Sequence, residues 1–480
     1  MKRIVFIIFS LLQFIPSWSQ KLEGYVFLDS NHNGIREQHE RGISGVLVSN
    51  QKDFVKTDKN GHYEIERLKD KGIFIVKPAD YKAHNYYMQK LDNADFPLYK
   101  SAIKNDFEML AIGDPQMRCE ESLDAFEEDI VQEMLSYDVE FAMILGDIAD
   151  NDLSIYSRTK EMPSILPYSV YPVIGNHDIS YEAKSSQQQS VGFHNSWGPD
   201  YYSFNEGQVH FIVLNDILYE GWNQKQNKRG NYFGGISDEQ YEWLKKDLSF
   251  VTKDKLVVLC MHIPLLEAHV YPRDIKRIFF LIESYPNVLL LSGHMHEVHN
   301  YFYDKNSLWL GKQKLQNLTV GAACGSWWCG PLDERGLPVS TCFDGAPNGY
   351  YKLSFKGTSY DYQLIPANHR EDFQLRTTYY DDNRSLYVNV FSATPEAKVT
   401  CTVNGQTHLL TRVMEIDPLI KDTYDQRFNY DDWHGNLRPS THLWKCTLPK
   451  LENGTYAISI DVLDVDNKKY TGNKIIRIVK

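Results

Sequence analysis

The chain has 480 residues, of which 42% are hydrophobic and 24% charged, and its formal net charge at pH 7 is −12. This composition is typical of a globular protein with enough apolar residues for two or three domains. The acidic balance argues against a protein that binds a nucleic-acid polymer along its phosphates. A small phosphorylated substrate remains compatible with it, because bound cations can dominate the local field of a site.

The first segment is typical of an export signal. Residues 1–3 are MKR, residues 4–16 form the apolar run IVFIIFSLLQFIP, and Ser17 and Ser19 are small residues where a signal peptidase cleaves. We expect residues 1–19 to be a signal peptide. The run is short for a bilayer span, and no later stretch is apolar enough to be one. The sequence therefore predicts an exported protein, periplasmic or secreted, with no membrane span after cleavage.

Residues 20–80 predict a small β-sandwich, because short strand patterns such as GYVFLD, GVLVSN and HYEI alternate with polar turns. The stretch DSNHNGIREQHE matches a calcium-loop template whose oxygen ligands are Asp29, Asn31, Asn33 and Glu40. The flanking helices of an EF-hand are missing, and the segment resembles instead the repeat modules of bacterial surface adhesins, some of which bind calcium. An Asx-rich turn without an ion is the competing interpretation.

Residues 81–104 are predicted as a linker, and residues 105–367 predict an α/β domain. Its strand patterns are apolar throughout, which indicates sheets buried on both faces. These patterns are FEMLAIGD, VEFAMILGD, YPVIGNHD, VHFIVLND, KLVVLCMHIP and NVLLLSGHMH, with YYKLSF and YDYQLIPA closing the fold. The helix patterns between them are SLDAFEEDIVQEMLSY, SDEQYEWLKKDL and RDIKRIFFLIESY, of which the second opens with a capping box formed by Ser237 and Gln240.

Residues 321–350, rich in glycine, proline and aspartate, predict a long loop. Long ordered loops beside a site are often functional. One interpretation is that Trp327 or Trp328 stacks on a base or sugar while Asp333 or Asp344 binds a hydroxyl group. The other is that both tryptophans anchor the loop to the core.

Residues 368–480 return to short strands and predict an immunoglobulin-like β-sandwich. Its expected role is structural packing, with contact to carbohydrate or substrate as the alternative. Cys401 and Cys446 both lie in this region and are candidates to pair if the protein is exported.

Polar side chains gather just past the ends of the central strands, which is the edge where open α/β sheets bind ligands. A single histidine or asparagine there has an ordinary structural explanation. Polar groups at the ends of five separate strands would each need such an explanation, so a shared binding site is favoured. Oxygen and imidazole ligands without thiolate suit iron, manganese or zinc. The residues are Asp114, Gln116, Asp147, Asn176, His177, His262, His294 and His296.

The motifs GDPQ, GDIADN, GNHD, the histidine of MHIP, and GHMH resemble, in this order, the five motifs of the calcineurin-like metallophosphoesterases. The resemblance covers residues 108–300. It implies a four-layer α/β/β/α sandwich with a dinuclear metal site, here flanked by two small all-β sandwiches. The loop 321–350 and the three-part architecture also resemble exported phosphoesterases of the Bacteroides type.

Carried over by position, the resemblance implies a ligand set and a mechanism. A metal-activated hydroxide attacks phosphorus directly. His177 stabilises the transferring phosphoryl group or protonates the leaving oxygen, while Asp178 orients its imidazole and raises its pKa. The first metal is bound by Asp114, Gln116, Asp147 and His296, and the second by Asp147, Asn176, His262 and His294.

Gln116 stands where the family has histidine. Its amide oxygen is also a neutral donor but a harder one, so it favours manganese or ferrous iron over zinc. The sequence resembles a branch of the family in which glutamine is natural here, including manganese-dependent nucleotide-diphosphate pyrophosphatases. A degenerate enzyme is expected to have lost Asp147 or His177 as well, and both are present.

We therefore expect an active phosphoesterase with two divalent cations and a small phosphorylated substrate. A phosphodiester or nucleotide-type substrate is favoured slightly over a monoester. The alternatives are a phosphomonoesterase that acts on small exported substrates, and a surface-binding protein with a degenerate catalytic domain.

Overall fold

The computed structural model describes residues 21–83, 85–88, 94–185, 188–424 and 438–479. The predicted signal peptide, residues 1–19, lies outside these ranges. Within them, the structure contains no helix that is both long and apolar enough to cross a membrane.

The N-terminal domain is a sandwich of two four-stranded sheets. Its strands are β1 Lys21–Leu28, β2 Leu47–Ser49, β3 Phe54–Lys56, β4 His62–Glu66, β5 Ile73–Ile75, β6 Tyr81–Ala83, β7 Tyr87–Met88 and β8 Phe96–Lys100. The sheet orders are β4-β1-β8-β6 and β3-β2-β5-β7. The predicted linker over residues 81–104 is therefore wrong up to residue 100. Strands β6, β7 and β8 complete the sandwich, because the apolar residues at the start of β8 are buried in its core.

The N-terminal domain packs directly on the catalytic domain. The two share one continuous apolar core. At the contact, the indole N–H of Trp243 donates to Ser49 Oγ at 3.1 Å, and the ring of Phe54 stacks on Trp243 at 5.7 Å. Gln51 Nε2 donates to a carboxylate oxygen of Asp200 at 2.7 Å.

The predicted α/β fold of the catalytic domain is confirmed. Its strands are β9 Asp106–Ile112, β10 Phe141–Leu145, β11 Ser169–Val173, β12 Tyr202–Glu206, β13 Val209–Val213, β14 Ile217–Tyr219, β15 Tyr232–Gly234, β16 Leu256–Cys260, β17 Asn287–Ser292, β18 His299–Tyr303, β19 Leu315–Thr319, β20 Gly349–Lys356 and β21 Ser359–Pro366. They form a five-stranded sheet of order β11-β10-β9-β20-β21, a six-stranded sheet of order β12-β13-β16-β17-β19-β18, and the hairpin β14-β15.

Helices cover the outer faces of these sheets. They are α1 Glu120–Phe126, α2 Gln132–Met134, α3 Tyr156–Thr159, α4 Val191–Trp197, α5 Asp238–Ser249 and α6 Pro272–Ile282, and a π-helical turn, Glu127–Val131, joins α1 to α2. Only half of the predicted capping box forms at α5. The Ser237 side chain accepts the Gln240 backbone N–H at 3.1 Å, but the Gln240 side chain bonds the backbone of Asn215 instead.

The C-terminal domain is a second sandwich with its own apolar core. Its strands are β22 Leu375–Tyr380, β23 Ser385–Val390, β24 Lys398–Val403, β25 Gln406–Leu409, β26 Thr411–Val413, β27 Leu443–Thr447, β28 Gly454–Leu463 and β29 Lys469–Ile478, with helix α7 Pro418–Tyr424 between β26 and β27. The sheet orders are β22-β23-β27-β26 and β25-β24-β28-β29.

The parallel strands of the catalytic domain position the site. Strands β9, β10 and β11 run parallel in one sheet, and β13, β16 and β17 run parallel in the other. Parallel strands end at the same edge of a sheet, so the turns after them lie side by side. These turns carry the motif residues of both sheets.

Candidate metal centre

Four side chains place their donor atoms around one point. His262 Nε2 lies 3.0 Å from Asn176 Oδ1, 3.2 Å from His294 Nδ1 and 3.2 Å from Asp147 Oδ2. Such separations suit ligand atoms that share one cation at about 2.1 Å. The set of two imidazoles, an amide and a carboxylate also fits a divalent transition metal.

A second group of donors lies next to the first and shares Asp147. His296 Nε2 is 3.7 Å from Asp114 Oδ1, and the Gln116 amide nitrogen is 3.2 Å from Asp147 Oδ2. A half-turn of the Gln116 amide would bring its oxygen to the same place. The structure thus brings together all seven residues that the sequence predicts as metal ligands, and the residues fit two cations.

Backbone carbonyls orient two of the imidazoles. His262 Nδ1 lies 2.8 Å from the carbonyl oxygen of Leu145, and His296 Nδ1 lies 2.6 Å from that of Gly325. A ring that donates its Nδ1 proton to a carbonyl presents the lone pair of Nε2 on its other side. In both residues Nε2 faces the carboxylates of the centre.

The backbone at the centre is strained. Five of the predicted ligands have φ between 42° and 73°, the left-handed region that side chains other than glycine rarely adopt: Asp114, Gln116, Asp147, His294 and His296. Such strain costs about 1–3 kcal/mol per residue and concentrates at functional sites. At this centre, the left-handed backbone conformation sets the direction in which each of these side chains leaves the end of its strand.

The glycines of two motifs are required by close packing. A Cβ atom at Gly175 would lie 2.1 Å from Asp147 Oδ1, and one at Gly293 would lie 2.6 Å from Asp114 Oδ2. Neither position has room for a side chain. Gly175 therefore allows close contact between the turns after the neighbouring strands β11 and β10, and Gly293 allows close contact between the turns after β17 and β9, which belong to different sheets.

The buried carboxylates and imidazoles of the centre alter one another's protonation. Burial raises the pKa of Asp114 to about 7, and the negative charge of Asp147 adds to the rise. Burial lowers the pKa of His262, but the carboxylates of Asp147 and Asp114 outweigh it and raise this pKa to about 10. The carboxylates of this centre therefore attract positive charge, which bound cations would supply.

His177 lies at the edge of the centre and its side chain is 20% exposed. Its backbone N–H donates to Asp147 Oδ1 at 2.8 Å, and its Nε2 lies 3.9 Å from Asp147 Oδ2. Burial lowers the pKa of the imidazole, but Asp147 and Asp150 outweigh it and raise the pKa above its usual value. The residue is thus placed to donate a proton to a group bound at the centre.

The carboxylate beside His177 is Asp150, and the role predicted for Asp178 is corrected. Asp150 Oδ1 lies 3.0 Å from His177 Nδ1. Asp178 is fully buried and accepts hydrogen bonds from the backbone N–H groups of Ile148, Ala149 and Gly175 and from the Tyr156 hydroxyl. Asp178 therefore connects the turn after β10 to the turn after β11. Asp150 is the second aspartate of the motif GDIADN, and this motif is the sequence signal that could have identified it as the partner of His177.

The two tryptophans of the long loop have different environments. Trp327 is half-buried and stacks on the imidazole of His296 with ring centres 4.1 Å apart. Trp328 is buried, its indole N–H donates to the carbonyl of Pro115 at 2.9 Å, and it packs edge-on against Phe126. Trp328 thus anchors the loop to the core, whereas Trp327 borders the metal centre.

Asp344 does not fit the substrate-binding role predicted for it. It is 1% exposed, and its carboxylate accepts the backbone N–H groups of Val298 and Ala346 at 2.6 and 3.0 Å. The same carboxylate lies 2.8 Å from Nε2 of His442, a residue of the C-terminal domain. Asp344 therefore connects that domain to the turn after the ligand His296.

The predicted calcium loop forms a turn held by its own backbone. Asp29 accepts the N–H groups of Asn33 and Gly34 at 3.2 and 2.9 Å, while Glu40 accepts that of Ser30 at 2.8 Å. The oxygens of Asn31 and Asn33 also accept backbone N–H groups. Glu37, His39 and Glu40 lie close enough together to hold an ion. A calcium ion at Asp29, Asn31, Asn33 and Glu40 stays a prediction.

Three family models match the sequence. The model described as Calcineurin-like phosphoesterase matches residues 107–298, and the models for the N terminal and the C terminal of Calcineurin-like phosphoesterase match residues 30–108 and 317–470. The chain belongs to the calcineurin-like phosphoesterases. This family consists of phosphoesterases that depend on two metal ions.

The chain is similar to two curated relatives over part of its length. A probable glycerophosphodiester phosphodiesterase of Arcobacter nitrofigilis is 27% identical over 175 residues, which is 35% of this chain and 60% of that protein. Purple acid phosphatase 15 of Arabidopsis thaliana is 30% identical over 152 residues, which is 27% of this chain and 26% of that protein. Each match thus spans less than two thirds of the relative.

A solved structure, a dimetal phosphatase from Danio rerio, superposes with a TM-score of 0.38 and 14% identity. It covers 55% of this chain and 98% of its own.

Proposed function

We propose that this protein is an exported, metal-dependent phosphoesterase that prefers phosphodiester or nucleotide-type substrates over phosphomonoesters. The observation that carries the proposal is the convergence of donor atoms from seven residues that follow strands of both sheets, with His177 partly exposed beside them. Manganese or iron is favoured at the centre because Gln116 and Asn176 add neutral oxygen donors to the carboxylates.

The side chains at the centre have different roles in the proposed reaction. Two divalent cations held by the ligand set would activate water and neutralise charge on the phosphoryl oxygens. His177, whose pKa is raised by its neighbouring carboxylates, donates a proton to the leaving oxygen or a hydrogen bond to the phosphoryl group. Asp150 places its negative charge 3.0 Å from Nδ1 of this imidazole.

The diester preference rests on two observations. Trp327 places a half-buried aromatic ring at the centre, as a base or aromatic leaving group would require. The similarity to a probable glycerophosphodiester phosphodiesterase points to the same class. The similarity to a purple acid phosphatase favours a monoesterase as the second candidate.

The decisive experiment compares two esters. The full chain, loaded with manganese, iron or zinc singly, is assayed with bis-(4-nitrophenyl) phosphate and 4-nitrophenyl phosphate. We expect manganese- or iron-dependent turnover with a higher kcat/KM for the diester, and Asp147→Ala is expected to abolish it. A higher kcat/KM for the monoester would support the second candidate. No turnover by a folded, metal-loaded protein would favour a binding protein with a degenerate catalytic domain.

Export is tested separately from catalysis. The chain is expressed in a Gram-negative bacterium, and the periplasm and medium are separated from the cytoplasm. We expect the protein outside the cytoplasm with Gln20 as its first residue. Retention in the cytoplasm with residues 1–19 intact would contradict the proposed export.

A further inference from the structure

The amide of the predicted ligand Gln116 lies between a carboxylate of the metal centre and a buried thiol. Its nitrogen is 3.2 Å from Asp147 Oδ2, and its oxygen is 3.6 Å from the sulfur of Cys324, which donates to it. Cys324 is fully buried. One end of the amide therefore faces the centre, and the other end faces a side chain to which the mechanism assigns no role.

The backbone fixes Cys324 against the motif GDPQ, residues 113–116. The Ala323 N–H donates to the carbonyl of Gly113 at 2.7 Å, and the Cys324 N–H donates to the carbonyl of Asp114 at 3.2 Å. These hydrogen bonds join the start of the long loop to the turn that carries Gln116. The sulfur is therefore held at a set place beside the amide.

The Gln116 amide depends on this sulfur more than the neighbouring imidazole does. The sulfur also lies 3.7 Å from His296 Nδ1, but that nitrogen already has the carbonyl oxygen of Gly325 at 2.6 Å. A thiol is a weak donor and also a weak acceptor. When the amide oxygen faces a cation, the amide nitrogen takes the place beside Cys324, and the sulfur can accept its N–H. Without an acceptor, this buried N–H would be costly.

We propose that Cys324 is a positioning residue for Gln116, whose amide oxygen it keeps directed at the first metal by accepting the amide N–H on the other side. Partners behind metal ligands orient them, and their loss typically weakens metal binding about 10- to 100-fold. This inference rests on the proposed function, because it concerns a ligand of the same centre.

The experiment measures metal binding, so that it does not depend on turnover. The metal-free full chain is titrated with Mn²⁺ in a calorimeter, as wild type, Cys324→Ala and Cys324→Val. We expect the wild type to bind two ions. Both variants should bind one ion about tenfold more weakly and the other within about twofold of the wild type, because Gln116 is predicted to bind the first metal only. Cys324→Val fills the space of the thiol, so a cavity does not explain its loss.

Cys342→Ala is the matched control, since it removes a second fully buried thiol from the same loop. The Cys342 sulfur lies 3.7 and 3.9 Å from the carbonyl oxygens of Ala322 and Pro347. This variant should keep both Mn²⁺ affinities within about twofold of the wild type. Cys324→Ser, whose hydroxyl group also donates and accepts, should recover most of the lost affinity.

A double-mutant cycle with Gln116→Ala tests whether Cys324 acts through this ligand. In the Gln116→Ala background, Cys324→Ala should leave Mn²⁺ binding unchanged. Equal losses in Cys324→Ala and Cys342→Ala, wild-type affinity in Cys324→Val, or a single Mn²⁺ bound by the wild type would each overturn the inference. If Mn²⁺ binding depends on Cys324 through Gln116 while no ester is hydrolysed, the positioning role stands and the proposed catalytic function fails.

Discussion

At the scale of single residues, His177 depends on the carboxylate 3.0 Å from its Nδ1, which belongs to Asp150. Asp150→Asn keeps the shape of this side chain and removes its charge. We expect kcat for bis-(4-nitrophenyl) phosphate to fall about 10- to 100-fold, with KM within about twofold, because a positioned proton donor contributes about 10²- to 10⁴-fold.

Two controls separate positioning from metal loss. The bound manganese of Asp150→Asn, measured by atomic absorption, should equal that of the wild type, and Asp150→Glu should recover part of the rate. A wild-type kcat in Asp150→Asn would show that this carboxylate does not support His177.

The adjacent tryptophans provide a matched pair. Trp328→Ala removes a buried side chain and its hydrogen bond to Pro115, and we expect the free energy of unfolding to fall by about 3–5 kcal/mol. Trp327→Ala removes a half-buried ring that stacks on His296. It should raise KM for the aromatic diester and destabilise the protein less. Thermal and urea unfolding together with steady-state kinetics measure both effects, and equal destabilisation without a change in KM would contradict the assignment.

At the scale of secondary-structure elements, the apolar strand patterns of the catalytic domain predicted their strands correctly, because a strand buried on both faces must be apolar throughout. Strands β6 and β7 were missed because three- and two-residue strands are too short to show alternation. They form because β8 pairs with β6 and β5 pairs with β7 within the sandwich.

Strands β24 and β27 hold a pair of thiols across the C-terminal sandwich. Cys401 Sγ and Cys446 Sγ lie 3.9 Å apart, so a small rotation of either side chain would allow a disulfide. We expect oxidation by glutathione disulfide to form this bond and to raise the free energy of unfolding by up to about 4 kcal/mol for a loop of 45 residues. Peptide mapping after thiol alkylation and urea unfolding test this, with Cys446→Ser as control. Two alkylated thiols after oxidation would exclude the bond.

At the scale of the whole molecule, the C-terminal domain supports the metal centre. His442 lies 2.8 Å from Asp344, Asp344 accepts the Val298 N–H, and the neighbouring Phe343 N–H donates to the carbonyl of His296. His442→Ala leaves the buried Asp344 carboxylate with its two backbone N–H donors and without the imidazole. We expect a destabilisation of about 3–5 kcal/mol, together with weaker manganese binding at the centre.

His408→Ala, a change on the opposite sheet of the same domain, is the control and should leave manganese affinity unchanged. Calorimetric manganese titration and thermal unfolding measure both effects. A destabilised His442→Ala that binds manganese as the wild type does would show that the domain contact has no influence on the centre.

The sequence by itself determined the apolar strands that lead into the site and which residues gather at the candidate metal centre, whereas strands β12, β14, β15, β18 and β19 were not predicted. Both depend on local patterns: apolar runs define the strands, and each motif turn must begin where its strand ends. Because parallel strands share an edge, residues distant in the chain could be placed together before their contacts were known.

Only the tertiary structure decided which carboxylate serves His177, which tryptophan borders the centre, and that Asp344 belongs to a domain contact. The directions of these side chains depend on left-handed turns and on groups far away in the sequence, such as the backbone at Gly175 and the imidazole of His442. A one-dimensional pattern cannot specify such contacts, since they form only when separate elements pack against one another.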